Sequence, residues 1–252
     1  MSDNWDFYFA NVNEMLASLF VDLGIRGSAP DPERPWLLWV WVYLNQPLEN
    51  GLSSSEEAPI LHQIEDCLAP AVEERAGALL VGRITTAGRR EYYFYASRPD
   101  HFEETAARAL ESFPGYKFDS GTQEDPQWSQ YLDLLYPTRE DRQKIQNRHV
   151  VDSLKKQGDT LKTARPVSHW IYFKSEQDRS RFVAAAVNEG FKVIDNSESA
   201  DPCERPYGVT LERVDYVNWN SVNEVTLGLF ALATNVDGEY DGWETSVERD
   251  DS

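Results

Sequence analysis

Hydrophobic and polar positions along this chain follow two periods, and the switches between them mark out a repeated order of elements. Trp5 to Phe9 is a short aromatic stretch with strand character, and Met15 to Leu23 is a second apolar stretch that ends at Gly24. After a proline-rich loop, Trp36 to Leu44 is apolar on both pleat faces, which predicts a strand buried on two sides. Ser54 and Glu57 have capping-box spacing before Leu61, Ile64, Leu68 and Val72, which recur at helical period up to Gly77. Ala78 to Thr86 and Arg90 to Ser97 read as two strands of a hairpin around Ala87-Gly88. A helix from Asp100 to Phe113 and a short strand from Tyr116 to Ser120 follow, and Asp125 to Leu135 forms a short helical segment before Pro137.

The second half repeats the order after a polar helix from Arg139 to Gln157. Val167 to Lys174 is a strand, and Ser175 starts a helix that Gly190 stops. Phe191 to Ile194 is a strand, and Asp201-Pro202 lies in a polar loop. In the next strand, Tyr207 to Val217, the apolar Tyr207, Val209 and Leu211 alternate with Gly208, Thr210 and Glu212. Val222, Val225, Leu229, Leu232 and Val236 mark a helix from Trp219 to Asn235, and Glu239 to Val247 is the last strand before a tail expected to fray after Glu248. From Trp36 onward the first half therefore reads strand–helix–strand–strand–helix–strand, and the second half has the same order. That order predicts an α+β protein of two tandem ferredoxin-like (split βαβ) domains, 1–137 and 138–252, with antiparallel sheets covered by helices on one face.

Charge narrows the function. The 252 residues carry 43 acids and 24 Lys or Arg, a net charge of −19. Residues before 138 hold 22 acids against 9 bases and those after hold 21 against 15, so both halves are acidic. Such a field repels phosphate backbones and anionic membranes, and it attracts a basic protein surface. Met1 to Val12 has neither a basic nor an apolar leader segment, and Trp36 to Leu44 is too short to span a bilayer, so a cytoplasmic, soluble protein is expected. Cys67 and Cys203 form no metal-binding spacing, and Cys67 is expected in the core of its helix.

The densest chemistry lies in Gly238-Glu239-Tyr240-Asp241-Gly242-Trp243-Glu244, where Asp237 adds a fourth carboxylate. A calcium loop would need acids at alternate positions, a glycine at its sixth position, a glutamate at its twelfth and flanking helices; here a strand follows. Acid–base catalysis needs a cleft that shifts carboxylate pKa values, which adjacent surface acids do not provide. Glu65-Asp66, Glu73-Glu74 and Glu103-Glu104 read as solvated helix faces. His169 shares a strand face with Val167, Ile171 and Phe173 and reads as a core histidine, without a nucleophile motif beside it. No phosphate-cradling glycine loop or nucleophile elbow is present. Tyr92, Tyr93, Phe94 and Tyr95 resemble an aromatic RNA-binding strand, but an RNA surface needs a basic surround, so packing is the better account. No cofactor, metal or catalytic residue is assigned.

The segment from Arg139 to Val247 resembles the RraB family, regulators of ribonuclease E activity. The resemblance is carried by Asp152-Ser153-Leu154, Gly158-Asp159, Arg165-Pro166-Val167, His169 to Phe173, Gly190-Phe191 and, most specifically, Gly238 to Glu244. The N-terminal half is similar to an uncharacterised bacterial domain family, on Gly51-Leu52, Ile64-Glu65-Asp66, Gly82, Gly88 to Tyr95 and Asp125-Pro126 with Trp128. The RraB resemblance implies a non-catalytic protein that binds an endoribonuclease of the ribonuclease E type and restrains it without touching RNA, and the acidic field adds a basic surface to that expected partner. Asp237, Glu239, Tyr240, Asp241, Trp243 and Glu244 are then the expected partner-binding residues, with Trp243 or Tyr240 as anchor if exposed. Two other readings stand beside it: an interaction scaffold for a different partner, and an enzyme or small-ligand module.

Overall fold

The computed structural model describes residues 2–201 and 203–249. Pro202 and the tail beyond Arg249, on which the expected fraying falls, lie outside the described residues. The chain forms two compact units, Met1–Asp141 and Arg142–Ser252.

The first unit contains β1 (Trp5–Val12), β2 (Met15–Asp22), β3 (Trp36–Tyr43), α1 (Ala58–Ala76), β4 (Leu79–Thr86), β5 (Arg89–Ala96), α2 (Phe102–Leu110) and β6 (Phe118–Glu124). Its antiparallel sheet runs β1-β2-β4-β5-β3-β6. The two N-terminal apolar stretches pair as a hairpin on the β4 edge, so the sheet has six strands where the repeated order predicts four. Asn13 and Glu14 turn that hairpin with φ of 49° and 66°, and Ala87 and Gly88 turn the β4–β5 hairpin with φ of 48° and 75°. Left-handed angles at both central residues match the right-handed twist of the flanking strands.

One face of this sheet packs on the helices. Leu38, Val40 and Val42 of β3 and Tyr92 and Phe94 of β5 meet Leu61, Ile64, Leu68 and Val72 of α1 and Phe102, Ala106 and Leu110 of α2. Ser54 caps the approach to α1 by accepting from the Glu57 amide at 3.2 Å. The Glu57 carboxylate, however, turns away from Ser54 and accepts from the amides of Asn45 and Gln46 at 2.7 and 3.1 Å. Gly77, at φ 59°, ends the helix. Cys67 is exposed rather than buried. It precedes Leu68, the centre of the apolar stripe, by one residue, a rotation of about 100° around the helix.

The other face is covered by the π-helical segment Gln130–Leu135 and the turn before it. Tyr95 stacks on Trp128 with ring centroids 4.0 Å apart and donates to Asp125 Oδ2 at 2.5 Å. Tyr131 donates to the Asp22 carbonyl at 2.7 Å, and Tyr8 donates to the Leu135 carbonyl at 2.9 Å. Tyr92 to Tyr95 are thus all buried, packed on two opposite cores.

The second unit contains most of α3 (Arg139–Lys156), then β7 (Arg165–Phe173), α4 (Glu176–Asn188), β8 (Lys192–Glu198), β9 (Tyr207–Asp215), α5 (Trp219–Thr234) and β10 (Glu239–Thr245). Its antiparallel sheet runs β10-β7-β9-β8. Ser175 caps α4 by accepting from the Asp178 amide at 3.1 Å, and Asn218 caps α5 by accepting from the Ser221 amide at 3.2 Å. Ile171, Phe173, Val209, Leu211 and Tyr240 form a core with Phe182 and Ala186 of α4 and Leu229 and Ala233 of α5. A second cluster joins Val151 and Leu154 of α3 to Val167, Val222 and Trp243. All three helices therefore pack on the same face of the sheet. Ile194 is 55% exposed, next to the bulge between Val193 and Asp195 and out of phase with the core-facing Phe191 and Val193. The chain is accordingly α+β, with two antiparallel sheets and helices packed on them.

Candidate partner-docking surface

The segment from Asp237 to Glu244 enters β10 through a turn that only glycine fits. A Cβ on Gly238 would lie 2.5 Å from Phe173 Cε1 and 3.1 Å from the Ala233 carbonyl oxygen. Asp237 before it holds a left-handed φ of 54°. Its carboxylate sits 2.9 Å from Lys174 Nζ and 3.5 Å from Arg205, and these hydrogen-bonded cations hold its pKa below the usual carboxylate range. Glu239 pairs with the same arginine at 3.0 Å. Two of the four acids are thus neutralised where they stand.

β10 then bulges. Tyr240 pairs with Ile171 and Gly242 with Trp170, leaving Asp241 as the extra, exposed residue, and Gly242 takes φ 149°. The bulge lets two aromatics three residues apart face the same side. Tyr240 and Trp243 are each only 7% exposed, so the exposure on which an anchoring role depends is not present. They are structural. The Tyr240 hydroxyl is 2.8 Å from His169 Nδ1, and Trp243 Nε1 donates to Asn147 Oδ1 at 2.9 Å. Asn147 in turn donates to Asn223 Oδ1 at 2.8 Å and Thr226 Oγ1 at 2.7 Å, tying α3 to α5 and β10.

His169 is fully buried, as its strand face predicts. Burial, reinforced by the nearby Arg213 cation, lowers its pKa to about 3, so the ring is neutral across the physiological range. Asp159 and Arg165 have side chains 0% and 2% exposed and form a bidentate ion pair, with Arg165 Nη2 donating to Asp159 Oδ1 at 2.9 Å. Asp159 also accepts from the amides of Leu161 and Glu248 at 2.7 and 2.9 Å, and its pKa falls well below the carboxylate range, chiefly through the Arg165 hydrogen bonds. Arg165 further donates to the Ser246 carbonyl at 2.9 Å. This staple ties the loop before β7 to the chain just after β10.

The acids of β10 look the other way. Glu239, Gly242 and Glu244 pair across the ladder with Tyr172, Trp170 and Ser168, the β7 positions between its buried residues. On the far side of β7 the same three face Gly208, Thr210 and Glu212 of β9. The resulting face carries two half-buried aromatics, Trp170 and Tyr172, which lie outside the expected partner-binding residues. Their signal was present, since placing Val167, His169, Ile171 and Phe173 inward leaves Ser168, Trp170 and Tyr172 outward. A Cβ on Gly208 would come within 3.2 Å of Tyr172 Cε1, so this ring leans across the glycine. Asp241, Glu244 and Glu212 have no ion-pair partner among the described residues.

Two open clefts also lie in this unit. One, of about 600 Å³, lies between the start of β8 and α5, lined by Phe191, Arg213, Val225 and Leu232. Arg213 lies over the Phe191 ring at 4.1 Å, pairs with Asp215 at 2.9 Å and donates to the Glu189 carbonyl at 2.8 Å, so its guanidinium is already used by the fold. The other, of about 690 Å³, lies between the C-terminal end of α3 and the start of α5, near Lys155, Lys162 and Trp219. Among the described residues no group of three or more His, Cys, Asp or Glu side chains is placed to hold a metal ion. Among the described residues no helix is long and apolar enough to cross a membrane.

Residues 3–136 match the model of DUF695, a family of unknown function. The chain belongs to the DUF695 family. Residues 144–245 match the model of the RraB family, described as regulator of ribonuclease activity B. The DUF695 domain is followed by the RraB domain, the layout that the residue resemblances imply. The RraB-like motifs now have physical roles: Asp159 and Arg165 form the staple, His169 and Tyr240 a buried pair, and Gly238 and Gly242 the turn and bulge of β10. No curated protein matches the chain. Among solved structures, a proposed glycine cleavage system transcriptional repressor aligns over 84% of this chain and 98% of its own at 10% identity, with a TM-score of 0.27. A protein of unknown function from Galdieria sulphuraria aligns over 82% and 96% at 10% identity, with a TM-score of 0.22. Similarity this low carries no argument.

Proposed function

We propose that this protein is a non-catalytic, acidic regulator that binds an endoribonuclease of the ribonuclease E type and restrains it, changing RNA turnover without contacting RNA. The observation that carries the reading is the match of residues 144–245 to a family described as regulators of ribonuclease activity. The charge of −19 supports a basic surface on the partner and opposes direct RNA binding. In this reading the DUF695 domain, 1–137, and the RraB domain, 138–252, are two cytoplasmic split βαβ, ferredoxin-like modules. The strand order β10-β7-β9-β8 supports that topology for the second of them. The acids of β10 belong to the docking side, and its two buried aromatics hold the strand in place.

The test is a cleavage assay with a purified ribonuclease E-type enzyme and a labelled RNA, with and without the full-length chain. The chain is expected to slow cleavage in proportion to its binding to the enzyme, measured in parallel by sedimentation. It is also expected not to retard the RNA alone. Unchanged cleavage with no co-sedimentation would sink the reading.

A further inference from the structure

We propose that the open face of the C-terminal sheet, centred on Trp170 and Tyr172, is the docking surface, and that it takes an arginine-bearing segment of a partner protein. The inference rests on the regulatory reading above and says which surface acts and what it recognises.

Geometry comes first. α3, α4 and α5 all pack on one side of the β10-β7-β9-β8 sheet, so the other side has no helix of its own unit over it. β7 is a central strand, and its outward Trp170 and Tyr172 are flanked across the ladders by Gly242 and Thr210, and by Glu239 and Gly208. Gly242 leaves the space beside Trp170 open, since a Cβ there would meet nothing within 4 Å, whereas the Tyr172 ring lies against Gly208. Two half-buried aromatic rings thus share the outward phase of one central strand, which suits stacking with a planar cation or a base.

Charge chooses between those two. Ser168, one pleat period along β7 from Trp170, lies between Glu244 of β10 and Glu212 of β9. Strands two apart lie about 10 Å from each other, so these carboxylates can flank a guanidinium stacked on the indole from both sides. Asp241 stands at the bulge beside Trp170. These three acids lack ion-pair partners among the described residues, whereas Asp237 and Glu239 are already held by Lys174 and Arg205. An RNA platform of this shape would need cations in the places where these acids stand. The field around the rings therefore selects arginine, which combines a planar stacking face with donors for two carboxylates.

The test titrates the full-length chain with a labelled peptide of alternating arginine and glycine, and separately with labelled oligouridylate, by fluorescence anisotropy. The peptide is expected to bind with an affinity that falls as salt rises. W170A and the double variant E212K/E244K should each weaken it at least roughly tenfold, and D237N should leave it unchanged. Near-UV circular dichroism checks that W170A is folded, and the charge reversals alter surface groups outside the core. Absence of peptide binding, insensitivity to both variants, or tighter binding of oligouridylate would each overturn the proposal. The cleavage assay separates the two levels. If the wild type slows the enzyme and W170A slows it equally, this face is wrong and the regulatory reading stands. If the wild type does not slow it, the regulatory reading fails and the peptide titration alone decides the face.

Discussion

The neutral, buried His169 makes a pH dependence that can be worked out in advance. Its ring is 0% exposed, held at 2.8 Å by the Tyr240 hydroxyl, with Phe191 edge-on at 5.7 Å. Nε2 has no hydrogen-bond partner among the described residues, and Arg213 is the charged group whose field opposes protonation. In the unfolded chain a histidine takes up a proton below about pH 6.5; in the fold this one resists until about pH 3. The unfolded state thus binds more protons in that window. Stability is fully present above about pH 6.5 and is lost as pH falls toward the folded pKa. At about pH 5 the loss is roughly 1.5 units at 1.36 kcal/mol each, or about 2 kcal/mol, a thirtyfold change in the opening equilibrium. Replacing His169 with glutamine removes the titration and keeps a hydrogen-bonding group toward Tyr240. Hydrogen exchange of the β7 and β10 amides, compared between wild type and H169Q at about pH 7.5 and pH 5, isolates the effect because intrinsic exchange rates cancel. Wild-type protection should fall by about thirtyfold more than that of H169Q. Parallel pH profiles would refute the reasoning.

Two further outcomes follow from contacts around β10. G238A drives a methyl group to 2.5 Å from the ring of Phe173, which is itself 0% exposed and has nowhere to move. It should cost about 1–3 kcal/mol, read as a lower urea midpoint for the C-terminal unit. R165M leaves the Asp159 carboxylate buried with only backbone donors, and should cost roughly 3–5 kcal/mol in the same measurement. Because the Asp159 pKa is depressed in the fold, its contribution is present above about pH 4 and is lost as pH falls through the folded value, so the gap between wild type and R165M should narrow in acid.

Periodicity made the elements legible because each strand and helix buries one phase of its sequence. The alternation of Val209 and Leu211 with Thr210 and Glu212, and the helical spacing of Leu61, Ile64, Leu68 and Val72, survive intact as core positions. What periodicity misjudged depends on contacts far apart in the chain. The β1–β2 hairpin turns at Asn13-Glu14, without the glycine that usually marks a two-residue turn, and its attachment to β4 is a tertiary choice. The second aromatic core of the DUF695 domain requires Trp128 to stack on Tyr95, 33 positions earlier. The burial of both Tyr240 and Trp243 was not legible because a strand of regular period would put them on opposite faces, leaving one of them outward. The aromatics that do face outward belong to β7, a strand the sequence reading valued only for its inner phase.

The shared inward face of Tyr240 and Trp243 gives a test of the bulge. Tyr240 and Gly242 pair with consecutive residues of β7, Ile171 and Trp170, so removing Asp241 leaves a continuous ladder with Tyr240 and Trp243 still inward and Gly242 outward. Removing Asp241 and Gly242 together shifts the remainder by one place. Trp243 then falls opposite Trp170 on the outer face, and Glu244 falls opposite His169, pressing a carboxylate against a buried, neutral ring. Turning out an indole that buries roughly 200 Å² forfeits about 5 kcal/mol at 25 cal/mol per Å², and burying the carboxylate adds several more. The single deletion should therefore fold with a loss of about 1–2 kcal/mol, the scale of one altered turn. The double deletion should lose the cooperative unfolding transition of the C-terminal unit in urea. If the single deletion is as damaging as the double, the bulge does not set the register of β10, and the assignment of its acids to the open face loses its basis.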